Sequence, residues 1–221
     1  MAITMSWDWR KNQNAHWLTP CIEAPYLAER WQGEGFHRAL DLGCGLGRHS
    51  VYLARRGFQV TAADLSCEGV RHAREWAARE GVSLDARVCD MLDLPFAEAS
   101  FDCAIAYNVI YHSDTSGFKA ALRQLRRALV PGGELFMTLL SKSTWGFVNA
   151  PAEKRLDENA LLMEEPDTSQ VDMPHFFAAA ADLPDLFADW RFAQPPREIF
   201  IPYLDDLQYY TTHWQLLLQK P

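Results

Sequence analysis

Leu40-Asp41-Leu42-Gly43-Cys44-Gly45-Leu46-Gly47 is the stretch on which the reading of this 221-residue chain turns. A short apolar run, residues 39–42, ends in glycines at alternate positions. Such spacing strips side chains from the place where a strand turns into a helix. The backbone there can take positive φ and approach a ligand closely. Residues 48–56 continue as a helix with Val51, Leu53 and Ala54 on the apolar side. In an open α/β sheet, ligands bind beyond the carboxyl ends of the strands, near the point where strand order reverses. A nucleotide-like ligand is therefore expected at this first turn.

The same rhythm extends outward from the glycines. Residues 59–63 read as a second strand ending at Asp64, and Ser66 caps a helix that runs to about Glu80 and stops at Gly81. Residues 85–89 are a third strand ending at Asp90, and residues 101–107 a fourth ending at Asn108. A helix over 116–129 carries Phe118, Ala121, Leu122, Leu125 and Leu129 on one stripe. Pro131-Gly132-Gly133 makes a tight turn into a fifth strand, 134–140. Strands alternating with helices imply a parallel sheet with right-handed crossovers. The spacing predicts a further helix over 178–189, tightened at Pro184. Residues 191–203 and 213–219 read as two strands, joined through Asp205, Asp206, Tyr209 and Tyr210 and hence antiparallel.

The spacing also says which nucleotide. A dinucleotide fingerprint reads Gly-x-Gly-x-x-Gly, and a phosphate loop needs Gly-Lys-Ser/Thr; Gly-x-Gly-x-Gly followed by Arg48-His49-Ser50 is neither. That spacing disfavours a nicotinamide-dependent oxidoreductase. Asp41 disfavours a pyrophosphate beside it but suits a cationic ligand. A carboxylate at Asp64 accepts both hydroxyls of a ribose, and one at Asp90 accepts from the exocyclic amine of adenine. Three acids closing three successive strands describe a pocket for a positively charged, ribose-bearing adenine compound. S-adenosylmethionine, with its sulfonium and ammonium, fits.

The run from Leu40 to Gly47 resembles the glycine-rich first motif of class I S-adenosylmethionine-dependent methyltransferases. Asp64-Leu65-Ser66 resembles the acidic second motif, Asp90-Met91 the third, and Leu129-Val130-Pro131-Gly132-Gly133 the turn before strand five. The match covers about residues 36–142, with order and spacing in agreement. The layout is similar to the UbiE-like and TehB-like small-molecule methyltransferases. The resemblance implies an α/β, Rossmann-like, seven-stranded sheet, mostly parallel, with an antiparallel C-terminal hairpin and helices on both faces. It also implies the cofactor contacts. Gly43, Cys44, Gly45 and Gly47 let the methionine portion approach, with Asp41 near its amino group. Asp64 holds the ribose, and Leu65 lies beside the adenine. Asp90 and Met91 meet the adenine ring. Asn108 and Val109 border the sulfur end.

Methyl transfer from a sulfonium needs a general base only when the nucleophile must lose a proton. The loop Asn108-Val109-Ile110-Tyr111-His112 borders the transferring methyl in related enzymes. His112 is a candidate base or substrate contact, with a hydrogen-bonded structural histidine as the alternative. Tyr111 is a candidate pocket wall. His175, after an acidic stretch, is a candidate for closing over the site. His49 and His213 read as structural, and Arg48 as a contact to a carboxylate or a surface ion pair. No metal constellation stands out. No Asn-Pro-Pro-Tyr run follows strand four, which speaks against amino-methylation of DNA or glutamine.

Composition sets the outer bounds. Hydrophobic residues make up 48% and charged residues 23%, the balance of a globular protein, and the net charge of −8 argues against nucleic-acid partners. Arg123, Arg126 and Arg127 read as a solvated helix face. No apolar run has bilayer or signal-peptide length, and the five scattered cysteines suit a reducing compartment, so a cytoplasmic protein with no membrane contact is expected. Four of the eight tryptophans, Trp7, Trp9, Trp17 and Trp31, lie in the first 31 residues. Residues 1–35 are accordingly expected to be a helical cover over a methyltransferase domain at 36–221. Within it, the acidic insertion at 141–175, with prolines at 151, 166 and 174, reads as a mobile loop or lid. The expected function is S-adenosylmethionine-dependent in-line methylation of a small molecule by a monomer or homodimer. The alternative is a non-catalytic S-adenosylmethionine-binding partner or regulatory subunit.

Overall fold

The computed structural model describes residues 7–9, 15–165, 170–203 and 206–221. The expectations placed on Pro166, Asp167 and Asp205 fall outside them. A 3-10 turn, Ala15–Leu18, precedes helix α1, Ala24–Gly33, which starts with Pro25 in its first turn. Strand β1, Arg38–Leu42, runs through the glycine loop into α2, Arg48–Arg55. Then come β2, Gln59–Asp64, and α3, Cys67–Arg79. The Ser66 hydroxyl accepts from the Gly69 N–H at 3.3 Å, the cap expected there. Strands β3, Asp85–Val88, and β4, Phe101–Ala106, lead to α4, Thr115–Ala128. Strand β5 spans Leu129–Ser141. It absorbs Pro131-Gly132-Gly133 as an irregular start, with a register shift opposite Phe101 and Cys103, rather than setting them off as a separate turn.

The order β3-β2-β1-β4-β5 is parallel throughout, and it reverses where β1 pairs with both β2 and β4. Side chains alternate between two cores, as the period of a strand requires. Leu40, Leu42, Ala104, Ala106, Leu135, Met137, Leu216 and Leu218 face one core, with Phe118, Ala121 and Leu125 of α4. Ala39, Cys103, Ile105, Phe136 and Leu217 face the other, with Leu27, Ala28 and Trp31 of α1 and Leu53 of α2. Helix α1 is also tied to the sheet by charge. Arg30 and the Trp31 indole N–H all donate to the buried Glu134 carboxylate, at 2.6–3.2 Å. Arg127 is more than a solvated face: its guanidinium donates to the carbonyls of Phe96 and Leu94, fastening the β3–β4 connection to α4.

Beyond β5 the expectations need correction. The stretch 141–175 is not an irregular loop. A short helix α5, Trp145–Val148, and a 3-10 turn at Ala152–Lys154 lead into an antiparallel hairpin. Its strands are β6, Ala160–Glu165, and β7, Gln170–Ala178. Strand β7 joins the main sheet beside Leu140 and Ser141, on the edge of β5 opposite its C-terminal partner. Phe176 stacks on Phe118 of α4 at 4.1 Å between ring centroids, which anchors the hairpin to the core. The helix expected over 178–189 is reduced to a 3-10 turn, Ala180–Asp182, and one turn of α6, Leu183–Leu186. Residues 170–178 instead satisfy their backbone in the hairpin. The expected strand at 191–203 is two strands, β8 (Arg191–Phe192) and β9 (Arg197–Pro202), both antiparallel to β10, Tyr210–Gln219. The described residues thus hold ten strands rather than seven, with seven on the continuous path β3-β2-β1-β4-β5-β10-β8.

Candidate active site

The carboxyl ends of β1 through β5 open into one cavity of about 400 Å³, within the range of small-molecule sites. Its walls bring together Gly43, Cys44, Gly45, Asp64, Leu65, Asp90, Met91, Asn108, Val109, Tyr111, His112 and His175. Asp41 and Gly47 do not line it. Asp41 is buried behind the loop, where it accepts the Ser50 hydroxyl at 2.5 Å; burial pushes its carboxyl up to about 6 although this bond opposes the shift. Gly47 is where α2 meets α3: a Cβ there would overlap Ala73. These two residues shape the loop from behind.

The glycine wall is pinned by its own acids. Gly43 has φ +68, and a Cβ on it would run into Val109, so this position needs glycine for both space and conformation. The Asp64 carboxylate accepts the Gly45 N–H at 2.8 Å and the Ser66 N–H at 2.7 Å, one on each oxygen. Burial raises its pKa against these two bonds. Each oxygen retains a lone pair for a second donor. Asp90 accepts the Leu92 N–H at 2.9 Å. Asn108 takes φ +55 and is fastened to β5, its N–H donating to the Thr138 hydroxyl and its side-chain oxygen accepting from it, both at 2.8 Å.

The opposite wall is histidine and aromatic. The Phe176 N–H donates to the Tyr111 carbonyl at 2.8 Å, which brings β7 alongside the loop after β4. His175 consequently meets His112, with Nε2 of His175 at 3.0 Å from Nδ1 of His112. Nδ1 of His175 lies 3.0 Å from the Met173 carbonyl, which can only accept, so this nitrogen carries the proton. Acceptance by Nε2 of His175 from Nδ1–H of His112 would leave the lone pair of His112 on its Nε2. Burial, then the neighbouring His175, hold the His112 pKa well below 6.5. Tyr111 packs against both rings, with centroids at 4.5 and 6.1 Å.

Several lining residues escaped the sequence reading. His213, expected to be a packing residue, lines the cavity 5.8 Å from the Tyr111 ring. Met163 and Met173 reach the wall from the hairpin, Thr144 from the turn before α5, and Tyr203 and Thr211 from the C-terminal elements. No local motif marks them. Trp7, Trp9 and Trp17 form a cluster with centroids 5.3–6.0 Å apart, and Trp7 reaches the His112 ring at 5.7 Å. Trp31 lies instead in the α1 core. His49, expected to be structural, accepts the Cys21 N–H on its Nε2 at 3.1 Å and also lines the cavity.

A family profile described as "Methyltransferase domain" matches residues 39–133. The ubiquinone biosynthesis O-methyltransferase of Xanthomonas axonopodis pv. citri (strain 306) is 37% identical over 136 residues, 61% of this chain and 55% of that protein. The chain thus spans about half the length of the curated relatives it matches. A SAM-dependent methyltransferase from Methanosarcina mazei superposes with a TM-score of 0.66 at 22% identity, covering 83% of this chain and 92% of that one. The 1,6-didemethyltoxoflavin-N1-methyltransferase of Burkholderia thailandensis, solved with 1,6-didemethyltoxoflavin and S-adenosylhomocysteine, gives 0.63 at 18% identity, covering 90% and 78%. At such identities the structural likeness shows the fold. Residues 39–133 thus carry the match to a methyltransferase domain, and the glycine loop and the acids at the ends of β2 and β3 all fall inside that span.

Proposed function

We propose that the chain transfers the methyl group of S-adenosylmethionine to an oxygen of a small hydroxylated molecule, with His112 as general base. One observation carries this reading: the glycine-and-acid wall and the His112–His175 pair face the same cavity. The choice of oxygen is supported by the curated relatives, which are O-methyltransferases. The residues fit the cofactor. Gly43 and Gly45 present bare backbone for its methionine portion. The remaining lone pairs of Asp64 suit ribose hydroxyls, and Leu65, Asp90 and Met91 border the adenine. Asn108 and Val109 lie toward the sulfur. When bound, the cofactor supplies a methyl group already activated on a sulfonium. The protein's task is then to position the acceptor and exclude water. His112 Nε2 takes the hydroxyl proton as the oxygen attacks. His175 holds the His112 ring and its tautomer, and Tyr111 walls the acceptor.

The acceptor is a small molecule and the setting cytoplasmic, with the protein a monomer or homodimer and no nucleic-acid partner. The net charge of −8 and five free cysteines support this. Among the described residues no helix is long and apolar enough to cross a membrane. The test is S-adenosylhomocysteine release from S-adenosylmethionine across a panel of hydroxylated aromatic compounds. Turnover that vanishes in His112→Asn with cofactor binding intact is expected. Tight cofactor binding with no release on any acceptor would favour the non-catalytic alternative.

A further inference from the structure

Arg48 is the first residue of α2, only 6% exposed, and it lines the cavity. A buried guanidinium normally faces a carboxylate. This one has no ion-pair partner among the described residues. Its Nη1 donates to the backbone carbonyls of His16 at 3.1 Å and Thr19 at 3.4 Å. The rings of Trp17 and Tyr107 both lie against its charge, at 5.1 and 5.3 Å from the guanidinium carbon. Asp41, on the preceding strand, is committed to Ser50. Nη1 is therefore used on backbone, two aromatic rings stand against the guanidinium, and its other donors have no hydrogen-bond partner among the described residues. Burying a charge in that state is costly unless a ligand completes it.

We propose that Arg48 forms a carboxylate-binding subsite of this cavity, beside Trp17 and Tyr107. The inference rests on the methyltransferase reading. The carboxylate has two possible sources, the amino-acid end of the cofactor and an acidic group on the acceptor. The planar fork of arginine suits a two-oxygen anion better than a lysine would.

Calorimetry on the full chain separates the sources. The first arm compares S-adenosylhomocysteine with S-adenosyl-3-thiopropylamine, which lacks only the carboxylate. The second compares 4-hydroxybenzoate with its methyl ester on protein saturated with S-adenosylhomocysteine. Arg48→Gln should lower affinity for the carboxylate-bearing member of one pair by about 10- to 100-fold and leave the other member unchanged. Arg48→Lys, which keeps the buried charge and guards against misfolding, should recover part of the loss. Loss confined to the first arm assigns the subsite to the cofactor, and loss confined to the second assigns it to the acceptor. Equal affinities within both pairs for the wild type, or a variant that weakens both members alike, would overturn the subsite alone. A wild-type protein that binds neither adenosyl compound would overturn the methyltransferase reading and the subsite with it.

Discussion

The two walls of the cavity are built in different ways. On the glycine wall the bonds are short-range in sequence: Asp90 to Leu92 spans 2 residues, Asp41 to Ser50 spans 9, and Asp64 to Gly45 spans 19. Each acid braces the turn that follows its own strand, and Asp64 also braces the turn after the preceding one. On the histidine wall the contacts are long-range: Asn108 to Thr138 spans 30 residues and His112 to His175 spans 63. Local bonds tie a ligand pocket to the strand ends of the fold, so its recognition chemistry travels with the motif. Long-range contacts leave the chemistry of the acceptor side to whatever elements the C-terminal part of the chain adds. A pocket made this way can keep one cofactor while changing its acceptor.

The sharpest test of this division is to remove the base. His112→Ala should cut kcat by about 10²- to 10⁴-fold with S-adenosylhomocysteine affinity unchanged by calorimetry. A parallel loss of cofactor affinity would mean that the two walls are not separable. On the other wall, Asp64→Ala should weaken cofactor binding by about 1.5–3 kcal/mol, because donors to a charged acceptor are lost and the glycine loop loses its brace. Unchanged affinity would remove Asp64 from the site. Gly43→Ala should cost about 1–3 kcal/mol of stability in denaturant melts, since the new Cβ overlaps Val109 at φ +68. A neutral result would show that the loop after β4 gives way freely.

His175→Ala should lower kcat by about tenfold, as the ring it orients is released. It should also shift the pH profile. In the wild type, His112 must be neutral to act, so the acid limb of kcat should lie well below pH 6.5. Losing His175 removes a neighbour that disfavours the imidazolium, and the acid limb should move to higher pH. An unmoved limb would make His175 purely structural.

The smallest effect concerns stability. His49 and His112 have folded pKa values well below 6.5, so below that pH the unfolded chain binds more protons. Their contribution is complete above pH 6.5 and is lost as the pH falls. Asp41 acts in the opposite sense. Its folded pKa of about 6 lies above the ordinary 3.8, so the native state binds the extra proton and its burial penalty is relieved as the pH falls through 6. Asp41→Asn removes that relief, and the drop in Tm between pH 7 and 5 should be steeper than in the wild type.

The alternating strands and helices and both cores follow from periodicity. The alternation of Ala39, Leu40 and Leu42, and the stripe from Phe118 to Leu125, are local patterns that burial alone enforces. The hairpin β6–β7 was hidden for a physical reason. Its alternation is short and interrupted by Glu164, Asp172 and Pro174, and its stability comes from Phe176 on Phe118 and from pairing beside β5. Spacing tells which acids end strands and not which way a carboxylate turns; for Asp41 the Ser50 hydroxyl in the first turn of α2 decided that.

Glycine spacing, strand-end acids and their order suffice to read the cofactor side, since each is set by dihedral freedom and bonds to near neighbours in the chain. The His112–His175 pair, the lining role of His213 and the burial of Arg48 without an ion pair arise from elements brought together across the fold. Tautomer, desolvation and an unmet charge depend on what stands within a few ångströms in space, and that proximity is written only in the packed chain.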